Sequence, residues 1–238
     1  MLVLGIDTAT RIAGIAIVDG ERVLAESRHD ASTRSADLLV AIDRACRATN
    51  VQPAALDAVA IGAGPGSFTG LRIGMATAKG IAFAANRPLW AVSSLAAIAD
   101  DAVSELANQQ LFAHVDGVIV AVLDARRGEV FAGCYRQGSL LGEERVMPPG
   151  ELAAWVDGLA VGAPTSFAGD ALAAHRDVLA PLADGWLAVA TPSGRAIAKL
   201  ALAGPRNNVL AGGAPAYIRA SEAEIKYPDG VPGALRKR

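Results

Sequence analysis

The sequence contains few of the residues that mark specialised protein classes. Cysteine occurs only twice among 238 residues, as Cys46 and Cys134, which are far apart and not in CxxC spacing. This excludes a disulfide framework and a cysteine zinc site, and we expect both thiols to be free and buried. Aromatic residues make up only 5% of the chain although 52% is hydrophobic. Small aliphatic residues must therefore fill the core, which favours close approach of helices and strands.

The charges and apolar runs exclude two further classes. Lysine and arginine number 22 against 24 acidic residues, a net charge of −2, which is not the basic footprint of a dedicated nucleic-acid-binding protein. No uncharged run approaches the roughly 20 residues of a membrane-spanning helix. The first apolar run ends at Asp7 and follows no basic segment, so we expect no signal peptide. The composition predicts a globular cytoplasmic protein that does not contact the membrane.

The first half of the chain predicts the element order βββαβαβα. Apolar runs at residues 2–6 and 14–18 have strand length, and Asp19-Gly20 predicts a hairpin leading into a third strand. Apolar residues at helical spacing predict an amphipathic helix over residues 35–48. A buried strand over residues 56–62, a helix, a strand and a second helix complete this half.

The second half repeats the first. Gly20 follows Asp7 after 13 positions and Gly138 follows Asp124 after 14, each time across a strand, a turn and a second strand. We interpret this as an internal duplication with lobes at residues 1–108 and 109–238. The second lobe is predicted to contain a helix near residues 170–180, a short strand at 185–189, a last helix and an irregular tail with a basic end.

A duplicated βββαβα unit with Asp7 after its first strand resembles the actin/sugar-kinase-like ATPase superfamily. These are α/β proteins whose two ribonuclease-H-like lobes enclose a nucleotide. The resemblance implies that Asp7, Thr8 and Thr10 form a turn that binds ATP or ADP with magnesium weakly, since hydroxyls suit phosphate oxygens and a carboxylate suits a hard cation. The alternative is that these side chains only close the turn by bonding its backbone.

Histidines are too scattered to predict a metal site. The chain has only His29, His114 and His175, and a metal needs two or more ligands that converge. We therefore expect no metal and no required cofactor.

The stretch "GAGPGSFTGLRIG" at residues 62–74 matches neither common phosphate loop. It lacks the Gly-Lys-Ser/Thr of a Walker A motif, and the spacing of Gly64, Gly66 and Gly70 is one residue too long for GxGxxG. In the helix that follows, small residues recur every fourth position and form a ridge on one side: Gly70, Gly74, Ala78 and Ala82. The ridge either docks a partner helix or packs against the protein's own sheet.

Four segments together resemble the bacterial TsaB family, also called YeaZ: "GIDTAT" (5–10), "GPGSFTGLRIG" (64–74), "LDARRGEV" (123–130) and "PAYIR" (215–219). The resemblance implies a role in making threonylcarbamoyladenosine next to the anticodon of tRNAs that read codons beginning with A. It implies a heterodimer with the catalytic paralogue TsaD, a further partner in the ATPase TsaE, a homodimer when the protein is alone, and contact with tRNA only through the assembled complex.

The resemblance also bears on catalysis. TsaD binds its metal through an HxxxH pair on a first-lobe helix, and the corresponding helix here contains no histidine. We therefore expect a scaffold without catalytic residues or stand-alone activity; the alternative is an ATP-dependent kinase or ATPase. The expected partner interface comprises six residues of the glycine-rich helix: Gly70, Leu71, Arg72, Gly74, Met75 and Ala78. On this assignment Gly74→Leu would abolish association with TsaD and leave the fold intact.

Two motifs keep open roles. Arg126 and Arg127 of "LDARRGEV" either contact a phosphate or a partner's carboxylate, or form a solvated hairpin tip. The sequence assigns no role to Pro215, Tyr217 and Arg219 of "PAYIR".

Overall fold

A computed structural model describes residues 1–30, 35–110 and 117–218 of the chain. The strands are β1 Leu2–Asp7, β2 Ile12–Asp19, β3 Arg22–Asp30, β4 Ala58–Gly62, β5 Leu89–Val92, β6 Val118–Arg126, β7 Glu129–Arg136, β8 Ser139–Met147 and β9 Thr165–Ala168. The helices are α1 Ser35–Thr49, α2 Phe68–Ala85, α3 Ser94–Asn108, α4 Leu152–Ala160, α5 Ala171–Ala174, α6 Arg176–Leu179 and α7 Gly194–Ala203.

The two sheets confirm the predicted duplication. The first has the strand order β3-β2-β1-β4-β5, with β1 to β3 antiparallel and β4 and β5 parallel to β1. The second has the order β8-β7-β6-β9, with β9 parallel to β6. This is the α/β architecture of two ribonuclease-H-like lobes that the repeated βββαβα pattern predicts.

Each sheet is covered on both faces, and alternate residues of a strand point to opposite layers. In β1, Leu4 and Ile6 pack beneath α1 and α2, whereas Val3 packs against α7. In β6, Ile119 packs with α3, whereas Val120 packs with α4. Helices α3 and α7 therefore lie between the two sheets.

These two helices cross the predicted lobe boundary. The division at residues 108/109 separates the sheets, but α3 packs on the second sheet and α7 on the first. The lobes predicted as residues 1–108 and 109–238 therefore each have their last helix packed on the sheet of the other lobe. The two helices also bond each other: Asp101 of α3 accepts from the backbone nitrogen and the hydroxyl of Ser193 at 2.8 and 2.7 Å, and from Arg195 at 2.6 Å.

Close approach of α7 to the first sheet depends on glycine. A Cβ atom on Gly5 would lie 2.0 Å from the carbonyl oxygen of Gly194, and one on Gly14 would lie 2.4 Å from that of Pro192. The expectation of a core with closely approaching elements is confirmed here. Both cysteines are free and buried, also as expected.

The second lobe departs from the sequence prediction in two places. The predicted strand at residues 185–189 is reduced to one bridge between Phe167 and Trp186, flanked by backbone bonds from Leu187 to the carbonyl of Phe167 and from Gly169 to that of Val189, both at 2.7 Å. The indole of Trp186 stacks on Phe167 and donates to the carbonyl of Gly169 at 3.1 Å. The helix predicted near residues 170–180 is split into α5 and α6 at His175, whose backbone is not helical. Among the described residues, no helix combines the length and apolarity that crossing a membrane requires.

Candidate functional site

The turn after β1 holds a carboxylate enclosed by its own lobe. The Asp7 side chain is fully buried; its Oδ1 accepts from the backbone nitrogen of Ala9 at 2.7 Å and its Oδ2 from the hydroxyl of Ser94 at 2.6 Å. Gly62 leaves room for the carboxylate, since a Cβ there would lie 1.8 Å from Oδ2. Burial raises the pKa of Asp7 from 3.8 to about 6.

The hydroxyls of the predicted phosphate turn are also engaged within the lobe. Thr8 donates to the carbonyl of Gly70 and Thr10 to that of Ile12, both at 2.8 Å, and both threonines are buried. The structure thus brings Asp7, Thr8 and Thr10 together in the arrangement of a closed turn. No group of three or more metal-ligating side chains is found in residues 1–30, 35–110 and 117–218. Nucleotide binding at this turn stays a prediction.

The glycine loop lies directly on the Asp7 turn and starts α2. The backbone nitrogen of Ser67 donates to the carbonyl of Ala9 at 2.7 Å, and a Cβ on Gly66 would lie 2.5 Å from that same oxygen. Ser67 then caps α2 by accepting from the nitrogen of Gly70 at 3.3 Å. This cap starts the helix at Phe68.

The small-residue ridge of α2 faces inward, so the interface assignment needs correction. Cβ atoms on Gly70 and Gly74 would lie 2.2 and 2.1 Å from the carbonyl and hydroxyl oxygens of Thr8. Leu71, Met75 and Ala78 are at most 5% exposed. The ridge therefore packs against the protein's own sheet, which is the alternative that the sequence left open. Gly74→Leu would push into Thr8 and perturb the fold.

Of the six predicted interface residues, only Arg72 is exposed, and it lies on the opposite side of α2 from the ridge. That side carries two large aromatic side chains, Phe68 at 42% and Phe83 at 78% exposure. The same helix carries a second set of small residues at a spacing of four, all exposed: Ala76, Gly80 and Ala84. The spacing of four in the sequence identifies both sets of small residues, but it does not show which set faces the solvent and which faces the protein interior.

Helix α1 extends this exposed apolar surface. Leu39 and Val40 are 52% and 46% exposed. A groove of about 490 Å³ lies between α1, residues 50–56 and Ile81 of α2, and Leu39 and Cys46 line its α1 side. We call the exposed surface of the two helices the α1–α2 face; it consists of Leu39, Val40, Phe68, Arg72, Ala76, Gly80, Phe83 and Ala84.

Sequence reasoning missed a contact between this face and the "PAYIR" segment. The Nε of Arg72 donates to the hydroxyl of Tyr217 at 3.0 Å, and the guanidinium carbon lies 3.9 Å from the centre of the Phe68 ring. The rings of Phe68 and Tyr217 are 5.3 Å apart. The backbone nitrogen of Ala216 donates to the carbonyl of Ala63 at 2.7 Å, which ties the segment to the glycine loop. Arg219 lies outside the described residues.

The turn after the first strand of the second lobe contains the same type of hydrogen bond that Asp7 accepts from the nitrogen of Ala9. Asp124 Oδ1 accepts from the backbone nitrogen two residues ahead, at Arg126, at 2.8 Å. The same carboxylate contacts His175 at 3.1 Å and the Arg126 guanidinium at 3.0 Å, and Asp170 accepts from the Asp124 nitrogen at 2.9 Å. Burial raises the pKa of Asp170. Arg126 thus turns back onto its own hairpin, and both Arg126 and Arg127 adopt positive φ.

Comparisons with known proteins agree with this architecture. The family model for TsaD, tRNA N6-adenosine threonylcarbamoyltransferase, matches residues 29–232. The tRNA threonylcarbamoyladenosine biosynthesis protein TsaB of Bacillus subtilis is 31% identical over 95% of this chain and 98% of its own. TsaB of Escherichia coli is 31% identical over 58% of this chain and 56% of its own.

Two solved structures are similar over most of their length. A protein described as similar to the peptidase YeaZ from Pseudomonas aeruginosa superposes with a TM-score of 0.73 at 29% identity, covering 92% of this chain and 99% of that one. YeaZ from Pseudomonas aeruginosa gives a TM-score of 0.67 at 28% identity, with 85% and 94% covered.

Proposed function

The chain belongs to the TsaB (YeaZ) family, and from this we propose that it takes part in forming threonylcarbamoyladenosine in tRNA as a non-catalytic subunit that docks TsaD. TsaE joins the pair, tRNA is contacted only through the assembled complex, and the protein forms a homodimer when alone. All of these events take place in the cytoplasm. The observation that carries the proposal is the exposed α1–α2 face.

This face has the composition of a helix-docking surface. Burying a phenylalanine side chain contributes roughly 1.5–3 kcal/mol. Because Phe83 is 78% exposed, most of this free energy can still stabilise a complex in which a partner covers the ring. Exposed large apolar side chains grouped on neighbouring helices are typical of interaction sites on soluble proteins. The small residues Ala76, Gly80 and Ala84 allow another helix to approach α2 closely.

A non-catalytic role is supported by two features of the first lobe. Helix α1 contains no histidine where TsaD has its HxxxH pair. In the Asp7 turn, the threonine hydroxyls bond backbone carbonyls of their own lobe. Calorimetry with ATP and magnesium tests the rival kinase or ATPase reading: micromolar binding with turnover by the purified chain would contradict a scaffold.

Phe83→Asp tests the docking surface directly. The side chain is exposed, so we expect the variant to fold normally but to lose co-purification with tagged TsaD, because a carboxylate would be buried in an apolar contact. Val178→Asp is the matched control, since Val178 is also exposed, at 50%, but lies on the second lobe. Co-purification that is equal for both variants would refute the docking surface.

A cellular measurement tests the pathway. In cells depleted of this protein we expect the threonylcarbamoyladenosine content of tRNA to fall, with wild type and Val178→Asp restoring it and Phe83→Asp failing to do so. An unchanged nucleoside profile after depletion would contradict the proposed function.

A further inference from the structure

The contact between Arg72, Phe68 and Tyr217 places a cation on the α1–α2 face beside two aromatic rings. We propose that Arg72 is a carboxylate-binding residue of this face, held in place by Phe68 and Tyr217, and that it takes an aspartate or glutamate of the docked TsaD subunit. This inference rests on the proposed function and adds the chemistry of the contact.

Arg72 is oriented before any partner arrives. Its Nε donates to the Tyr217 hydroxyl at 3.0 Å, and its guanidinium lies 3.9 Å above the Phe68 ring. Within residues 1–30, 35–110 and 117–218 the structure gives Nη1 and Nη2 of Arg72 no acceptor. These two nitrogens form the edge of the guanidinium that pairs with a carboxylate through two parallel bonds. An arginine fixed in this way loses less side-chain entropy on binding.

The setting of Arg72 favours a protein carboxylate over an RNA phosphate. Lys79 is the only other cation on α2, and the whole chain carries a net charge of −2. Binding to a nucleic-acid backbone depends on several cations acting together. An arginine among exposed aromatic side chains is typical of the residues that dominate the affinity of protein interfaces. Arg72 and Phe68 also lie on the same side of α2 as Phe83, so the contact is continuous with the docking surface.

Tyr217 is then a positioning residue, which gives "PAYIR" a role. The bond from the Ala216 nitrogen to the Ala63 carbonyl brings Tyr217 next to α2, although it lies 145 positions from Arg72 in sequence. The Tyr217 hydroxyl accepts from Nε and so fixes the direction in which the free edge of Arg72 points.

Calorimetric titration of the full chain with TsaD from the same organism tests the inference. Arg72→Lys keeps the charge but loses the planar edge and the Nε bond, so we expect Kd to rise about tenfold or more. Tyr217→Phe keeps the ring and loses the hydroxyl, and we expect a rise of about threefold. Lys79→Gln, which removes a cation two turns along the same helix, should leave Kd within about twofold of wild type.

Salt dependence separates a charge contact from a loss of packing. Affinity of wild type and Lys79→Gln should weaken as salt rises, whereas Arg72→Gln should lose most of this dependence. Melting temperatures within about 2 °C of wild type would show that the variants fold normally. Loss of affinity in Tyr217→Phe that keeps the full salt dependence of wild type supports a positioning role.

Three outcomes would overturn the inference. Wild-type affinity in Arg72→Lys would refute it and leave the proposed function standing. If an Arg72 variant bound TsaD normally but its assembled complex bound tRNA more weakly than wild type, Arg72 would contact an RNA phosphate instead. No binding between wild type and TsaD would refute the proposed function and this inference with it.

Discussion

Substituting Gly74 by alanine should destabilise the first lobe, although the substitution removes a glycine from a helix. A Cβ at this position would lie 2.1 Å from the Thr8 hydroxyl and 3.2 Å from the Thr8 Cβ and Cγ2 atoms. Overpacking of this kind costs about 1–3 kcal/mol. Displacing the Thr8 hydroxyl from the Gly70 carbonyl costs roughly 1 kcal/mol more, and the gain in helix propensity offsets about 1 kcal/mol. The net loss is about 2 kcal/mol.

Gly80→Ala is the matched control on the same helix. No atom lies within 4 Å of a Cβ placed at Gly80, so the propensity gain of up to about 1 kcal/mol is not opposed. In thermal denaturation we expect Gly74→Ala to melt about 4–8 °C below wild type and Gly80→Ala to melt at or above it. Thr8→Ala in the Gly74→Ala background should restore part of the loss, because it removes the hydroxyl that the new methyl group meets.

A Gly74→Ala variant as stable as Gly80→Ala would refute the inward orientation of the ridge. It would mean that α2 presents its small residues to a partner and that Thr8 does not occupy the space beside them. Additive effects of Thr8→Ala and Gly74→Ala in urea unfolding would refute the direct contact.

Two further predictions concern buried carboxylates. Burial raises the pKa of Asp7 from 3.8 to about 6, so the native state binds a proton that the unfolded chain has released, and the free energy of unfolding falls by about 3 kcal/mol as pH rises through this window. In urea unfolding from pH 4 to pH 7, Asp7→Asn should lack this fall, and a pH dependence equal to wild type would contradict the assignment. Ser193→Ala should cost about 2–3 kcal/mol, because it removes the cap of α7 and a buried bond to Asp101, whereas Ser67→Ala, which removes only the cap of α2, should cost about 1 kcal/mol. Equal losses in the two serine variants would show that the Asp101 bond adds nothing.

Much of the fold could be predicted because its signals are local. Apolar runs and the Asp19-Gly20 turn locate the first three strands, and the repeated spacing after Asp7 and Asp124 predicts a second lobe with the same turn. The i to i+2 bond of each aspartate confirms that repeat at atomic detail. These features depend on neighbouring residues, which a single sequence displays directly.

The orientation of α2 could not be predicted because alanine is compatible with either side of a helix. Ala78 is fully buried and Ala76 is exposed, yet each belongs to a set of small residues with a spacing of four, and the two sets look alike in the sequence. The informative signal was the line of large side chains, Phe68, Arg72 and Phe83, on the side opposite the glycines. The bond from Arg72 to Tyr217 had no signal at all, since it depends on the path of the chain after α7.

The exchange of α3 and α7 makes the two halves of this polypeptide inseparable. A fragment that ends at residue 108 would expose Val3, Ala16 and Val18 to water, since these residues pack on a helix encoded downstream. The complementary fragment would likewise lack the helix that shields Ile119 and Leu123. Each half thus supplies the other with its last helix, as two domain-swapped subunits do, but within a single polypeptide.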